Sequence, residues 1–165
     1  MPCTIRLARS DDLASINDIY NYFVVHTTCT YQEVPDSIES RRAWYERHGP
    51  DHPVTVAELN GEIVGWGSLS AFHQRSAYRF TVENSVYVDR RYHRRGIGDT
   101  ILEDLIARGR AIGHRTIIAA VDAGEEASIA IHAKHGFRFA GRLTEVGYKF
   151  ERWLDVVYLQ LTLAP

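Results

Sequence analysis

Cysteine is scarce in this chain: its 165 residues hold only Cys3 and Cys29. Two such thiols make neither a disulfide framework nor a metal-ligand spacing, so the expectation is a cytoplasmic protein with free thiols and no metal. Long apolar runs are missing as well. No stretch approaches the roughly 20 residues that span a bilayer. The opening segment MPCTIRLARSDD lacks the apolar core of a signal peptide. A strong charge of one sign is also absent. The formal net charge is −2, which argues against a nucleic-acid binder held mainly by charge. Repeats, linkers and low-complexity tracts do not occur. With 45% hydrophobic and 24% charged residues, the chain reads as one globular domain over residues 1–165 with room for a core.

The patterning is that of an α/β protein. Thr4 to Ala8 reads as a strand, and Ser10 as the N-cap of a helix carrying Leu13, Ile16, Ile19, Tyr20 and Phe23 at helical spacing. Residues 26–35 read as a loop. Asp36 and Glu39 stand in capping-box spacing before a second helix that runs to about His48. Val54 to Leu59 and Glu62 to Leu69 read as strands joined by Asn60-Gly61, a tight-hairpin pair. A third strand is predicted over about Arg79 to Asp89, and a helix from Gly96 to Ile112 ended by Gly113. Then follow a strand from Thr116 to Val121, a helix from Glu125 to His135 closed by Gly136, and strands at Arg138–Leu143 and Leu154–Leu163. The alternation implies helices around a mixed sheet.

The most informative stretch is VENSVYVDRRYHRRGIG, residues 82–98. A β-branched strand ends in a basic segment, then in two glycines one residue apart, then in a helix. That order aims backbone N–H groups and a helix N-terminus at one point, a site suited to phosphate. The dinucleotide fingerprint fails, because its third glycine position holds Ile101. The P-loop fails for want of Lys-Ser/Thr. A turn shaped by Gly96 and Gly98, with solvated arginines around it, is the plainer alternative.

HRRGIG (93–98), preceded by VYV (86–88), resembles the pyrophosphate-binding motif of the GNAT acyltransferases, Gln/Arg-x-x-Gly-x-Gly/Ala, with His93 at its first position. SIAIHAKHGF (128–137) is similar to that family's second coenzyme A motif, with Glu125 where the family often has Asn. AYRFTVENSVYV (77–88) and VGYKFERWLDVVYLQL (146–161) resemble the phosphinothricin acetyltransferase branch, and the likeness runs from Thr4 to Leu163. The resemblance implies a GNAT fold, with a mixed, mostly antiparallel central sheet flanked by helices. It implies acetyl-CoA held by Val86, Tyr87 and Val88 on the strand, by His93, Arg94, Arg95, Gly96, Ile97, Gly98 and Asp99 at the turn, and by Ser128 and His132. It also implies a small-molecule amine acceptor, such as an amino acid or analogue, and a homodimer.

Amide formation needs a neutral amine, yet α-amino and lysine groups have pKa values of about 8 to 10.4. A carboxylate near the acceptor removes that proton. The resemblance gives this role to Glu83, which would otherwise read as a carboxylate paired with Arg79 or Arg91. It also implies that the Val88 N–H, freed by a local bulge and by splaying, stabilises the developing oxyanion. His132 and Tyr87 are candidates to serve the thiolate leaving group, while His135 reads as structural. Asp99 fits the helix N-terminus but would repel phosphate, so it is expected to point outward. Arg75, Arg79 and Lys149 are candidates for an acceptor carboxylate, or else solvated charges. Thr28, Tyr31, Phe72, Tyr78 and Trp153 are candidate pocket walls, or else core. Rival readings are a protein N-terminal or lysine acetyltransferase and a non-catalytic acyl-CoA-sensing module.

Overall fold

In the computed structural model, which describes residues 3–164, seven strands form one sheet in the order β1-β2-β3-β4-β5-β7-β6. Met1, Pro2 and Pro165, part of the single domain expected from the sequence, lie outside the described residues. The strands are β1 (Thr4–Leu7), β2 (Val54–Leu59), β3 (Glu62–Ala71), β4 (Thr81–Val88), β5 (Thr116–Asp122), β6 (Arg138–Lys149) and β7 (Arg152–Thr162). Every pairing is antiparallel except β4 with β5. The helices are α1 (Leu13–His26), α2 (Ile38–Glu46), α3 (Ile97–Ile112) and α4 (Glu126–Lys134). The expected mixed, mostly antiparallel sheet with flanking helices is what the structure shows.

Each face of the sheet carries its own core. On one, Leu69, Val82 and Ile117 pack against Ile101, Leu102 and Leu105 of α3. On the other, Val54, Val56 and Trp66 pack against Leu13, Ile16 and Phe23 of α1. Burying each such side chain contributes roughly 1.5–3 kcal/mol. α3 lies so close to β3 that a Cβ on Gly67 would stand 2.5 Å from Ile101 Cγ2. Only glycine permits that approach, and it fixes the start of α3 beside the end of β4.

Several predicted boundaries move. Ser10 does not cap α1: Ser10–Asp12 form a 3₁₀ turn, and the Asp12 carboxylate instead accepts the Arg9 N–H at 2.7 Å. Asp36 and Glu39 do not form a capping box. Ser37 caps α2 by accepting the Ser40 N–H, because the Asp36 carboxylate is taken by Arg41 at 2.8 Å. The segment at Ser76–Tyr78 is a 3₁₀ turn, so β4 starts at Thr81 rather than Arg79. β6 runs to Lys149 and β7 starts at Arg152, joined by Phe150 and Glu151 at φ 53° and 59°. Two non-glycine residues in left-handed backbone give no hairpin signal in sequence. Asn60 (φ 53°) and Gly61 (φ 81°) turn as expected, and Gly136 (φ 88°) follows α4 as its C′ residue.

Candidate active site

β4 pairs with β5 only over Thr81, Val82 and Glu83; from Asn84 onward the two strands part. On the other side β4 stays in unbroken register with β3 from Val82 to Val88. The expected bulge is therefore not there, and the splay alone opens the strand. Phe72 N–H bonds to Thr81 O at 3.3 Å and Asp89 N–H to Val64 O at 2.9 Å. Antiparallel bonding alternates, so these two bonds turn the odd residues of β4 toward β3 and the peptide groups of Asn84, Val86 and Val88 toward the splay. The Val88 carbonyl accepts His93 Nε2 at 2.8 Å. What remains of Val88 in the splay is its N–H. His93 spends its Nε2–H there, which leaves a neutral ring only an acceptor at Nδ1. The donor expected from His93 toward a phosphate is thus already committed.

The turn that follows is a concave set of amides. Arg94 (φ 61°) and Gly96 (φ 76°) are left-handed on either side of Arg95, and the first-turn N–H groups of Ile97, Gly98 and Asp99 have no intrahelical acceptor. Arg94 and Arg95 are exposed, Arg95 lying over the Tyr92 ring at 5.1 Å. Ile97 turns its side chain into the core. A Cβ on Gly98 would meet Val88 Cγ2 at 3.6 Å and Ile131 Cδ1 at 3.9 Å. The protein itself tolerates that atom, and the bare amides of the turn beside two exposed arginines fit a pyrophosphate. Asp99 points away from the turn, as expected, with its oxygens 2.7 Å from Lys134 Nζ and 2.8 Å from His135 Nε2. Its carboxyl is held below the usual range, first by Lys134 and then by His135.

His132 is buried at the floor of the splay. Its Nδ1 lies 2.7 Å from Ser128 O, an acceptor, so Nδ1 carries the proton and Nε2 accepts the Asn84 amide at 3.0 Å. Burial depresses its pKa. Both nitrogens are engaged, and the ring meets Phe137 edge-on at 4.9 Å; this is the placement of a packed, neutral histidine. Tyr87, the other leaving-group candidate, turns to the opposite face and stacks on Trp66 with centroids 5.0 Å apart.

Glu83 lies on that opposite face, half-buried. Neither arginine considered for it pairs with it: Arg79 donates to Ser76 O at 3.1 Å, and Arg91 is held by Glu62 at 2.6 Å and Asp89 at 2.7 Å. Burial raises the Glu83 pKa, opposed by His73. Ser70 stands opposite it on β3 and is bonded to His48 Nε2 at 2.9 Å. The rings of Phe72, His73 and Tyr78 cluster in the turn before β4, with His73 4.4 Å from Phe72 and 4.8 Å from Tyr78. Arg75 and Arg79 are exposed in the same turn.

The other predicted acceptor residues are elsewhere. Lys149 is buried and donates to Thr30 O at 2.8 Å. It clamps the α1–α2 loop and offers no free ammonium. Trp153 is 62% exposed on the β6–β7 hairpin beside Tyr148. Thr28 is buried. Tyr31 donates toward Asp122 at 2.8 Å and Asp155 O at 2.9 Å. Sequence reasoning missed a cavity of about 270 Å³ on the Glu83 face, whose wall includes Tyr20, Arg41, Trp66, Ser85 and Tyr87. Arg41 and Trp44 share one face of α2 by spacing, but nothing local marks an arginine as buried.

The model of the Acetyltransferase (GNAT) family matches residues 16–137. Over the whole chain and 97% of the relative, 39% of residues are identical to an L-methionine sulfoximine/L-methionine sulfone acetyltransferase of Pseudomonas aeruginosa PAO1. A phosphinothricin N-acetyltransferase of Alcaligenes faecalis is 42% identical over 98% of this chain and 83% of its own. Among solved structures, a GNAT superfamily phosphinothricin acetyltransferase from Sinorhizobium meliloti in complex with AcCoA superposes with a TM-score of 0.96 at 36% identity, covering 99% of this chain and 90% of its own.

Proposed function

The chain belongs to the GNAT acetyltransferase family, and from that premise we propose that it carries acetyl from acetyl-CoA to the α-amino group of a small amino acid or analogue, of the methionine sulfone, methionine sulfoximine or phosphinothricin type. The observation that carries this reading is the pairing of two groups on one strand: Glu83, a half-buried carboxylate free of ion pairs among the described residues, and the Val88 N–H facing the splay. The full-length likeness to amino-acid acetyltransferases supports the acceptor class.

When bound, acetyl-CoA supplies an acyl carbonyl activated by its thioester. The amides of Gly96, Ile97, Gly98 and Asp99, with the α3 dipole, hold the pyrophosphate, and Arg94 and Arg95 add charge. Glu83 takes one proton from the acceptor's ammonium, directly or through one water. The neutral amine then forms the C–N bond while the C–S bond breaks, and the second proton of the amine passes to the departing sulfur, which leaves as the coenzyme A thiol. Val88 N–H donates to the oxygen on which charge develops. His132 holds the floor of the splay and transfers no proton. The exposed Phe139, Val146 and Tyr148 on β6 at the sheet edge, Phe150 in the β6–β7 turn and Trp153 on β7 support a homodimer, which sedimentation velocity tests. The half-buried free thiols Cys3 and Cys29 support a cytoplasmic location.

A coenzyme A thiol-release assay over amino acids, methionine derivatives, polyamines and peptides tests the function. Release with a small amino acid is expected. Release with peptides alone would overturn the acceptor class, and tight coenzyme A binding without release on any amine would make the protein a sensor.

A further inference from the structure

β4 loses its neighbour β5 after Glu83 and from there to Val88 keeps only β3. Half of the backbone groups in that stretch face the splay with no strand to hold them. Two histidines brace it instead. At the floor, the Asn84 side chain donates to His132 Nε2 at 3.0 Å. At the mouth, His93 Nε2 lies 2.8 Å from the Val88 carbonyl. A carbonyl oxygen only accepts, so Nε2 carries the proton and Nδ1 of the neutral ring is bare. A bare nitrogen offers nothing to a phosphate, although His93 opens the segment 93–98 that forms the pyrophosphate turn.

The His93 ring is itself anchored. It lies nearly parallel to Phe23 of α1, with 23° between the planes and 6.1 Å between the centroids. Phe23 is buried and meets Tyr87 of β4 at 5.4 Å. Val88 is then held from three sides. The next residue ties it to β3, because the Asp89 N–H reaches Val64 O at 2.9 Å. Its side chain faces the first turn of α3, where a Cβ on Gly98 would stand 3.6 Å from Val88 Cγ2. Its carbonyl is held by His93. The N–H and C=O of one strand residue point to the same side, so a bond to the carbonyl also sets the direction of the N–H. An oxyanion donor acts only within about 2.7–3.1 Å of the developing charge. His93 thus does for Val88 what β5 does for Val82.

We infer that His93 is a positioning residue for acetyl transfer: its Nε2–H pins the Val88 carbonyl, and through it the Val88 N–H, to the start of the pyrophosphate turn. The inference rests on the acetyl transfer proposed above. Removing an oxyanion donor costs about 10²–10³ in rate, and loosening one costs less. His93→Leu keeps an apolar contact for Phe23 and removes the hydrogen bond. With the best amine of the thiol-release panel, its single-turnover rate at saturating acetyl-CoA falls about tenfold, while the Kd of acetyl-CoA changes less than about twofold. A glutamine amide nitrogen stands where Nε2 does, and an asparagine one where Nδ1 does. His93→Gln therefore recovers most of the rate and His93→Asn does not. A loss that falls equally on Kd, no loss at all, or an Asn variant as fast as the Gln variant would overturn the pin and leave the acetyltransferase reading standing. Wild-type enzyme that releases no thiol with any amine would end both. A readout without turnover runs alongside. In ¹⁵N-histidine-labelled protein, the ring signals missing from His93→Gln show a proton on Nε2 and none on Nδ1. The opposite tautomer would mean that His93 does not hold Val88.

Discussion

Asn84 donates its side-chain amide to His132 Nε2 across 3.0 Å, joining β4 to α4 at the floor of the splay. The proton on Nδ1, given to Ser128 O at 2.7 Å, fixes the tautomer, and burial keeps the ring neutral. A histidine so placed has no proton to lend a leaving thiolate. His132→Ala therefore acts through stability. It strands the Asn84 amide and opens a void beside Phe137, costing about 2–4 kcal/mol. Urea denaturation measures the loss. The kcat–pH profile at saturating acetyl-CoA keeps its shape, whereas disappearance of a limb would return His132 to acid catalysis.

Glu83 has the opposite character: a carboxyl raised by burial, which His73 only partly opposes. It acts as a base only when ionised, so activity rises with pH through its raised pKa. Glu83→Gln loses that limb and about 10²–10⁴ in kcat. The stability effect has the reverse sign. A raised carboxyl pKa favours the folded state below the ordinary glutamate range, and that benefit fades as pH rises through the folded-state value. At neutral pH Glu83→Gln thus melts higher than the wild type, and the gap closes in acid. A variant no more stable at neutral pH would show that Glu83 costs the fold nothing.

What was legible in the sequence was local. Asn60-Gly61, the glycines of residues 93–98 and Gly136 announce themselves because positive φ and helix ends demand few residue types. Asp36 misled for a physical reason: its cap spacing is real, but Arg41 competes for the same carboxylate and wins. Lys149 looked like a free cation because burial is a tertiary property, set by Thr30 at the far end of the chain. Arg41 and Trp66 gave no sign for the same reason. Their burial comes from α1, α2 and β3 meeting, which no local pattern marks.

Gly96 and Gly98 separate by the source of their constraint. Gly96 is held at φ 76°, so Gly96→Ala costs about 1–2 kcal/mol from backbone strain alone. Gly98 sits in the first turn of α3, and an added methyl would make only ordinary contacts of 3.6–3.9 Å. Gly98→Ala should raise stability by about 0.5–1 kcal/mol through helix propensity. It should also raise the KM for acetyl-CoA by about tenfold, since the methyl would block close backbone approach to the pyrophosphate. Thermal melts beside initial rates test this. An unchanged KM would mean that the turn does not hold the phosphates.

The α1–α2 loop, which carries Thr30 and Gln32 into the cavity wall, is fixed from outside by β6. A Cβ on Gly147 would stand 2.6 Å from the Tyr31 ring, with Gly147 itself buried. Tyr31 cannot yield, because its hydroxyl is tied to Asp122 and to the Asp155 carbonyl. Gly147→Ala therefore has to displace the loop, at a cost of about 1–3 kcal/mol of overpacking. The consequence is asymmetric. The pyrophosphate turn at the start of α3 shares no residue with this contact, so the KM for acetyl-CoA should hold while the acceptor KM rises several-fold. Tyr31→Phe in the same background removes the tether, lets the ring retreat and recovers part of the acceptor KM. A Gly147→Ala enzyme with an unchanged acceptor KM would show that the loop does not shape the acceptor site.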